Sequence, residues 1–91
     1  MEQERIGFLG IVLEDLAQAP RVNQIIAQHQ DIVTGRIGVP DHERNMAVIG
    51  LLIRGVDLQV SALTGKLGNL PGVQVKSAMT KSTEKQGRKA E

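Results

Sequence analysis

The side chains suited to chemistry are few, and their spacing matters more than their number. His29 and His42 are the only histidines, and there is no cysteine, which removes thiolate metal sites, disulfides and a cysteine nucleophile together. No serine, histidine and acid stand at the spacing of a hydrolytic motif. Asp15, Glu43 and Asp57 each fall where a turn or a helix cap would use a carboxylate. Asp41, His42 and Glu43 have the ligand types of a weak divalent site, although the same tripeptide is more simply a polar turn. His29 lies on an apolar helical stripe, as a packed helix-end residue does. The sequence Thr64-Gly65-Lys66 looks like the end of a phosphate loop, but Val60 and Leu67 stand where such a loop needs glycine and a hydroxyl residue. A catalytic set is therefore not expected, and neither a metal nor a cofactor is assigned.

The elements that would position these groups follow from periodicity. Residues 5–14 read as a strand, with Ile6, Phe8 and Val12 on one face and Leu9, Ile11 and Leu13 on the other. Gly7 and Gly10 weaken such a strand unless another backbone or a ligand approaches, or unless a bulge sits there. Asp15 to Ala19 form a turn, and Pro20 suits the first position of a helix over about 20–30, whose buried stripe is Val22, Ile25, Ile26 and His29. Residues 32–39 are rich in β-branched side chains. Pro40, Asp41 and Asn45 then make a loop of about five residues that returns an antiparallel strand from Met46 to Ile53. A second helix is capped by Asp57, buries Val60, Leu63, Leu67 and Leu70, and stops at Gly68 or Asn69 in the left-handed conformation. Pro71-Gly72 opens a last strand, 73–80, with the pattern of a sheet edge.

The order β-α-β-β-α-β predicts an α+β, ferredoxin-like sandwich: a four-stranded antiparallel sheet of order 4-1-3-2 with both helices on one face. The other face would carry half of the apolar side chains of the first and third strands, either Leu9, Ile11, Ile49 and Leu51 or their alternate-face neighbours. A lone chain of 91 residues would show that patch to water, so a homo-oligomer built through the sheet is expected, with a slightly hydrophobic or domain-swapped monomer as the alternative.

Composition agrees with one small domain over 1–81. Hydrophobic residues make up 41% of the chain, but Phe8 is the only aromatic, so the core is aliphatic and the sheet cannot stack RNA bases. The longest apolar run near the start is too short to span a membrane and follows acidic residues, as expected of a soluble, cytoplasmic protein. Net charge is +1. From Lys81 onward four basic side chains face two acidic ones, a local +2, which leaves −1 for the rest. Residues 82–91 have almost no apolar side chain and are expected to be a disordered polar tail, either a solvated terminus or a nucleic-acid tether.

This topology brings the end of the first strand, the start of the first helix, the hairpin and the end of the second helix to one end of the sheet. Arg36, His42 and Arg44 would then approach Lys66 and Asn69 near the helix start at Pro20, where a small anionic ligand would find positive charge and backbone donors. The alternative is a set of solvated hairpin charges.

The blocks RIGFLGIVLED, IVTGRIGVP and ALTGKLGNLPGVQVKSAMTK together resemble the family of iron-only hydrogenase system regulators, sometimes grouped with CopG-type regulators. The resemblance covers about 5–81 and is most specific in its last block. It implies a fold similar to the ligand-binding domain of nickel-responsive repressors and to amino-acid-binding ACT domains, and with it an oligomeric, ligand-sensing or regulatory role without catalysis. Two features depart from the repressors. The first strand begins almost at Met1, leaving no room for a ribbon-helix-helix segment, so direct nucleic-acid binding is not expected. A nickel cluster of histidine and cysteine has no counterpart. The expected function is thus a small homo-oligomeric regulatory or ligand-sensing protein. The alternatives are a CopG-type DNA-binding regulator acting with a partner, or a minimal enzyme with its site between subunits.

Overall fold

In the computed structural model residues 3–80 are described; the expected tail, 82–91, lies outside them. β1 (Arg5–Leu13) is followed by a 3-10 turn and α1 (Ala19–Gln28). A second 3-10 turn leads to β2 (Val33–Asp41), then come β3 (Met46–Gly55), α2 (Asp57–Gly68) and β4 (Val73–Met79). The four strands form one antiparallel sheet of order β2-β3-β1-β4, the expected 4-1-3-2 read from its other edge. The pairs Leu9 with Leu51 and Ile11 with Ile49 sit at the centre of the β1–β3 ladder.

Burial alternates along the two central strands and settles which face is which. Leu9, Ile11, Leu13, Ala47, Ile49, Leu51 and Ile53 are buried, in one cluster with Val22 and Ile26 of α1 and Val60, Leu63 and Leu67 of α2. Both helices therefore lie on that side. Ile25, His29 and Leu70, expected on the buried stripes, are only half-buried. Leu9, Ile11, Ile49 and Leu51 belong to the helix-covered core, and their alternate-face neighbours form the open face.

Several local expectations are corrected by the backbone. β2 runs on through Pro40 to Asp41, and the hairpin turn is four residues, 42–45, with Asn45 left-handed at φ 57°. Pro40 is tolerated because β2 is an edge strand, where one missing N–H interrupts little. The bulge lies between Val33 and Gly35, not at Gly7 or Gly10. Asp57 is not the cap of α2. Val56 holds that position, Gln59 Oε1 accepts its N–H at 3.0 Å, and Asp57 Oδ1 pairs with Arg5 Nε at 2.6 Å. Nor does α2 end in a left-handed residue: Asn69 has φ −82°. The chain reverses one turn later, where Val73 N–H bonds Leu70 O at 3.3 Å around Pro71 and left-handed Gly72, φ 71°.

Candidate functional site

At one end of the sheet the hairpin is docked on the segment that leads into α1. Asp15 is the pin. Its Oδ1 accepts from Ala17 N–H and from Asn45 Nδ2, both at 3.0 Å. These two donors, Ala17 first, hold its carboxyl below the ordinary value of 3.8. Leu16 N–H bonds Asn45 O at 3.2 Å, and Gln18 N–H bonds Asp15 O at 3.0 Å. The amides just ahead of α1 thus serve Asp15 and the hairpin.

The five expected ligand residues are spread along this framework. His42 and Arg44 are exposed on the hairpin turn, and Arg44 Nη1 pairs at 2.6 Å with Oδ2 of Asp41, the last residue of β2. Lys66 and Asn69 are exposed at the end of α2, which packs beside β4 at the opposite edge. Arg36 is placed differently. It lies five residues before Asp41 in β2, about 16 Å at the rise of a strand, and pairs with Leu51, whose side chain is buried among the helices. That parity sends Arg36 around the sheet edge toward α1, where Nη2 donates to Asn23 Oδ1 at 2.5 Å. Among the described residues no carboxylate lies within ion-pair distance of Arg36, whereas Arg5, Arg44 and Arg54 each have one.

Arg36 and Asn23 border a cleft of about 440 Å³ between α1 and β2, with Ile26, Ala27, Val33 and Gly35 in its lining. A second cleft of about 390 Å³ runs between α2 and the β4 edge, near Thr64, Gly68 and Val75. His29 is half-buried, and its Nε2 has no hydrogen-bond partner in the protein. Among the described residues no three His, Cys, Asp or Glu side chains come together as a metal site. None of their helices is long and apolar enough to cross a membrane.

The largest feature is the sheet face away from the helices. Ile37 and Val39 of β2 are 66% and 63% exposed, Val48 and Leu52 of β3 52% each, and Ile6 and Phe8 of β1 49% and 43%. Phe8 lies over the two glycines that face each other across β1 and β3. A Cβ on Gly50 would come within 2.8 Å of its ring, and one on Gly10 within 3.7 Å. Polar residues edge this apolar centre: Arg54 and Glu4, 3.7 Å apart, at one end, and Gln74, bonded to Glu14 at 2.5 Å, at the other. The sequence indicated an apolar second face. It gave no sign of the cleft or of Asn23, because no spacing rule links a helix amide to an arginine 13 residues on.

Three comparisons with known proteins place this geometry. A family model described as "TM1266-like: Iron-only hydrogenase system regulator, putative" matches residues 5–77. No curated protein matches the chain. Among solved structures it is similar to the uncharacterized protein TM1266 from Thermotoga maritima, with 38% identity and a TM-score of 0.80 over 87% of this chain and all of that one. It is also similar to the C-terminal domain of the MgtC protein from Mycobacterium tuberculosis. That likeness has 15% identity and a TM-score of 0.61 over 93% of this chain and 96% of that one, and concerns the fold alone.

Proposed function

This chain belongs to the TM1266-like family, whose description is "Iron-only hydrogenase system regulator, putative", and we propose that it acts as such a regulator by assembling with a second copy through the open sheet face. The observation that carries this reading is the apolar centre of that face, six large side chains between 43% and 66% exposed. A sheet of four strands about nine residues long is about 30 Å by 19 Å. That projected face of about 570 Å² approaches the roughly 800 Å² of accessible surface per partner found in stable interfaces, and the relief of its side chains narrows the difference. An aromatic and aliphatic middle with a polar border supports this reading, because interfaces combine the two in the same way. It suits a second copy because the Glu4–Arg54 border carries both charge signs, so that a two-fold axis setting this border against its own copy brings unlike groups together.

In this reading the protein works by binding rather than turnover: the assembled pair presents its helices and edges to a partner or a small ligand. Leu52→Asp puts a charge in the middle of the interface and splits the pair, because burying an unpaired carboxylate is prohibitive. Leu58→Asp, at a residue 74% exposed on α2, leaves the assembly intact. Equal masses for the two variants in sedimentation would place the contact elsewhere.

A further inference from the structure

The α1–β2 cleft is a concavity whose border carries an arginine without a carboxylate partner among the described residues. Three features give it the character of a site. Arg36 Nη2 is held by Asn23 Oδ1, so one end of the planar guanidinium is fixed while its other N–H groups stay available. The bulge between Val33 and Gly35 takes this part of β2 out of register with β3, and the edge strand has no sheet neighbour on its outer side. Ile26, Ala27 and Val33 give the cleft an apolar wall, and Gln30 adds a neutral polar group. Its volume of about 440 Å³ is within the range of small-molecule sites. The α2–β4 cleft lacks this combination, because Lys76 pairs with Gly10 and shares the open-face parity of Phe8, away from the helices.

We propose that the α1–β2 cleft binds a small monocarboxylate bearing a short apolar group. Arg36 takes the carboxylate through a forked pair of N–H donors, Asn23 and Gln30 border the polar end, and the apolar group lies on Ile26, Ala27 and Val33. Arg36 is the only charged residue in the lining, so the site selects an anion, and the apolar wall prefers a branched acid to a bare inorganic ion. The site lies within one chain and does not depend on assembly through the open face.

The test is a titration of the ¹⁵N-labelled full chain with isovalerate, with isovaleramide and inorganic phosphate as comparison probes, followed by amide shifts. Isovalerate moves the resonances of Asn23, Gln30, Gly35 and Arg36 saturably, phosphate binds more weakly, and isovaleramide does not bind. Arg36→Gln weakens isovalerate about tenfold or more, as expected for loss of a charge-assisted pair, while Arg44→Gln changes nothing. The inference is overturned if no saturable shift occurs, if the amide binds as well as the acid, if the shifts gather at His42, Arg44 and Asn69, or if Arg36→Gln keeps wild-type affinity. Loss of the assembly with isovalerate binding retained would count against the regulatory reading alone, and the reverse against the cleft alone.

Discussion

Replacing Gly7 with alanine introduces one methyl group where β4 leaves no room for it. A Cβ at this position would overlap the carbonyl oxygen of Ala78 and lie 2.7 Å from Met79 Cα and 2.5 Å from its sulfur. Two of these neighbours are backbone, so relief requires β1 and β4 to separate where Gly7 pairs with Met79. Overpacking of this kind costs about 1–3 kcal/mol, offset by about 0.4–1 kcal/mol from the narrower unfolded ensemble. The net loss is about 1–2 kcal/mol, which for a domain of this size lowers Tm by about 4–16 °C. Gly10→Ala is the internal comparison: its Cβ would meet the Phe8 ring at 3.7 Å and Lys76 O at 3.9 Å, ordinary contacts. That variant is neutral or gains up to about 1 kcal/mol. Thermal melts followed by circular dichroism read both, at one fixed protein concentration because assembly makes Tm concentration-dependent. A Gly7→Ala protein as stable as the wild type, or a Gly10→Ala protein destabilised as much, would refute the close approach of β4.

Further expectations follow from single contacts. The charged form of Asp15 holds two donors, and its folded pKa lies below 3.8, so its stabilisation is present above that value and is lost as pH falls through the lowered one. Urea denaturation should therefore show Asp15→Ala less stable than wild type at pH 6, with the gap closing toward pH 2; a constant gap would deny the charge a role. Leu63 is fully buried and Leu58 is 74% exposed on the same helix. Leu63→Ala should lose about 2–5 kcal/mol and Leu58→Ala no more than about 0.5 kcal/mol in the same assay. Arg5→Gln, which breaks the 2.6 Å pair with Asp57 between half-exposed side chains, should lose no more than about 1 kcal/mol, and less in high salt.

The element order was legible because each segment keeps one period: the apolar alternation of β1 and β3, and the spacing of Val22 with Ile26 and of Val60, Leu63 and Leu67. Periodicity could not choose between the faces of β1, since Phe8 and Leu9 are both apolar, and only the packing of α1 and α2 on Leu9, Ile11 and Leu13 decides it. Asp57 has the chemistry of a cap, yet its carboxylate meets Arg5, a contact across 52 residues that no local rule contains. Gly68 and Asn69 have the right types to stop a helix. The left-handed residue is instead Gly72, because Pro71 before it sets up the turn. The candidate ligand residues were grouped from topology alone, which gives the end of the sheet to which a residue belongs and not the side of the edge on which its side chain lies. Arg36 shows the difference: its pairing with Leu51 turns it toward Asn23 on α1.

The central claim, assembly through the open face, is tested most directly by the mass of the unmodified protein in solution. Light scattering coupled to size exclusion is suited to it, with concentration from refractive index, since the chain has neither tryptophan nor tyrosine. Assembly through this face gives at least twice the 9.9 kDa of one chain, unchanged in high salt because the contact is apolar. A mass of one chain at micromolar concentration and above would contradict it.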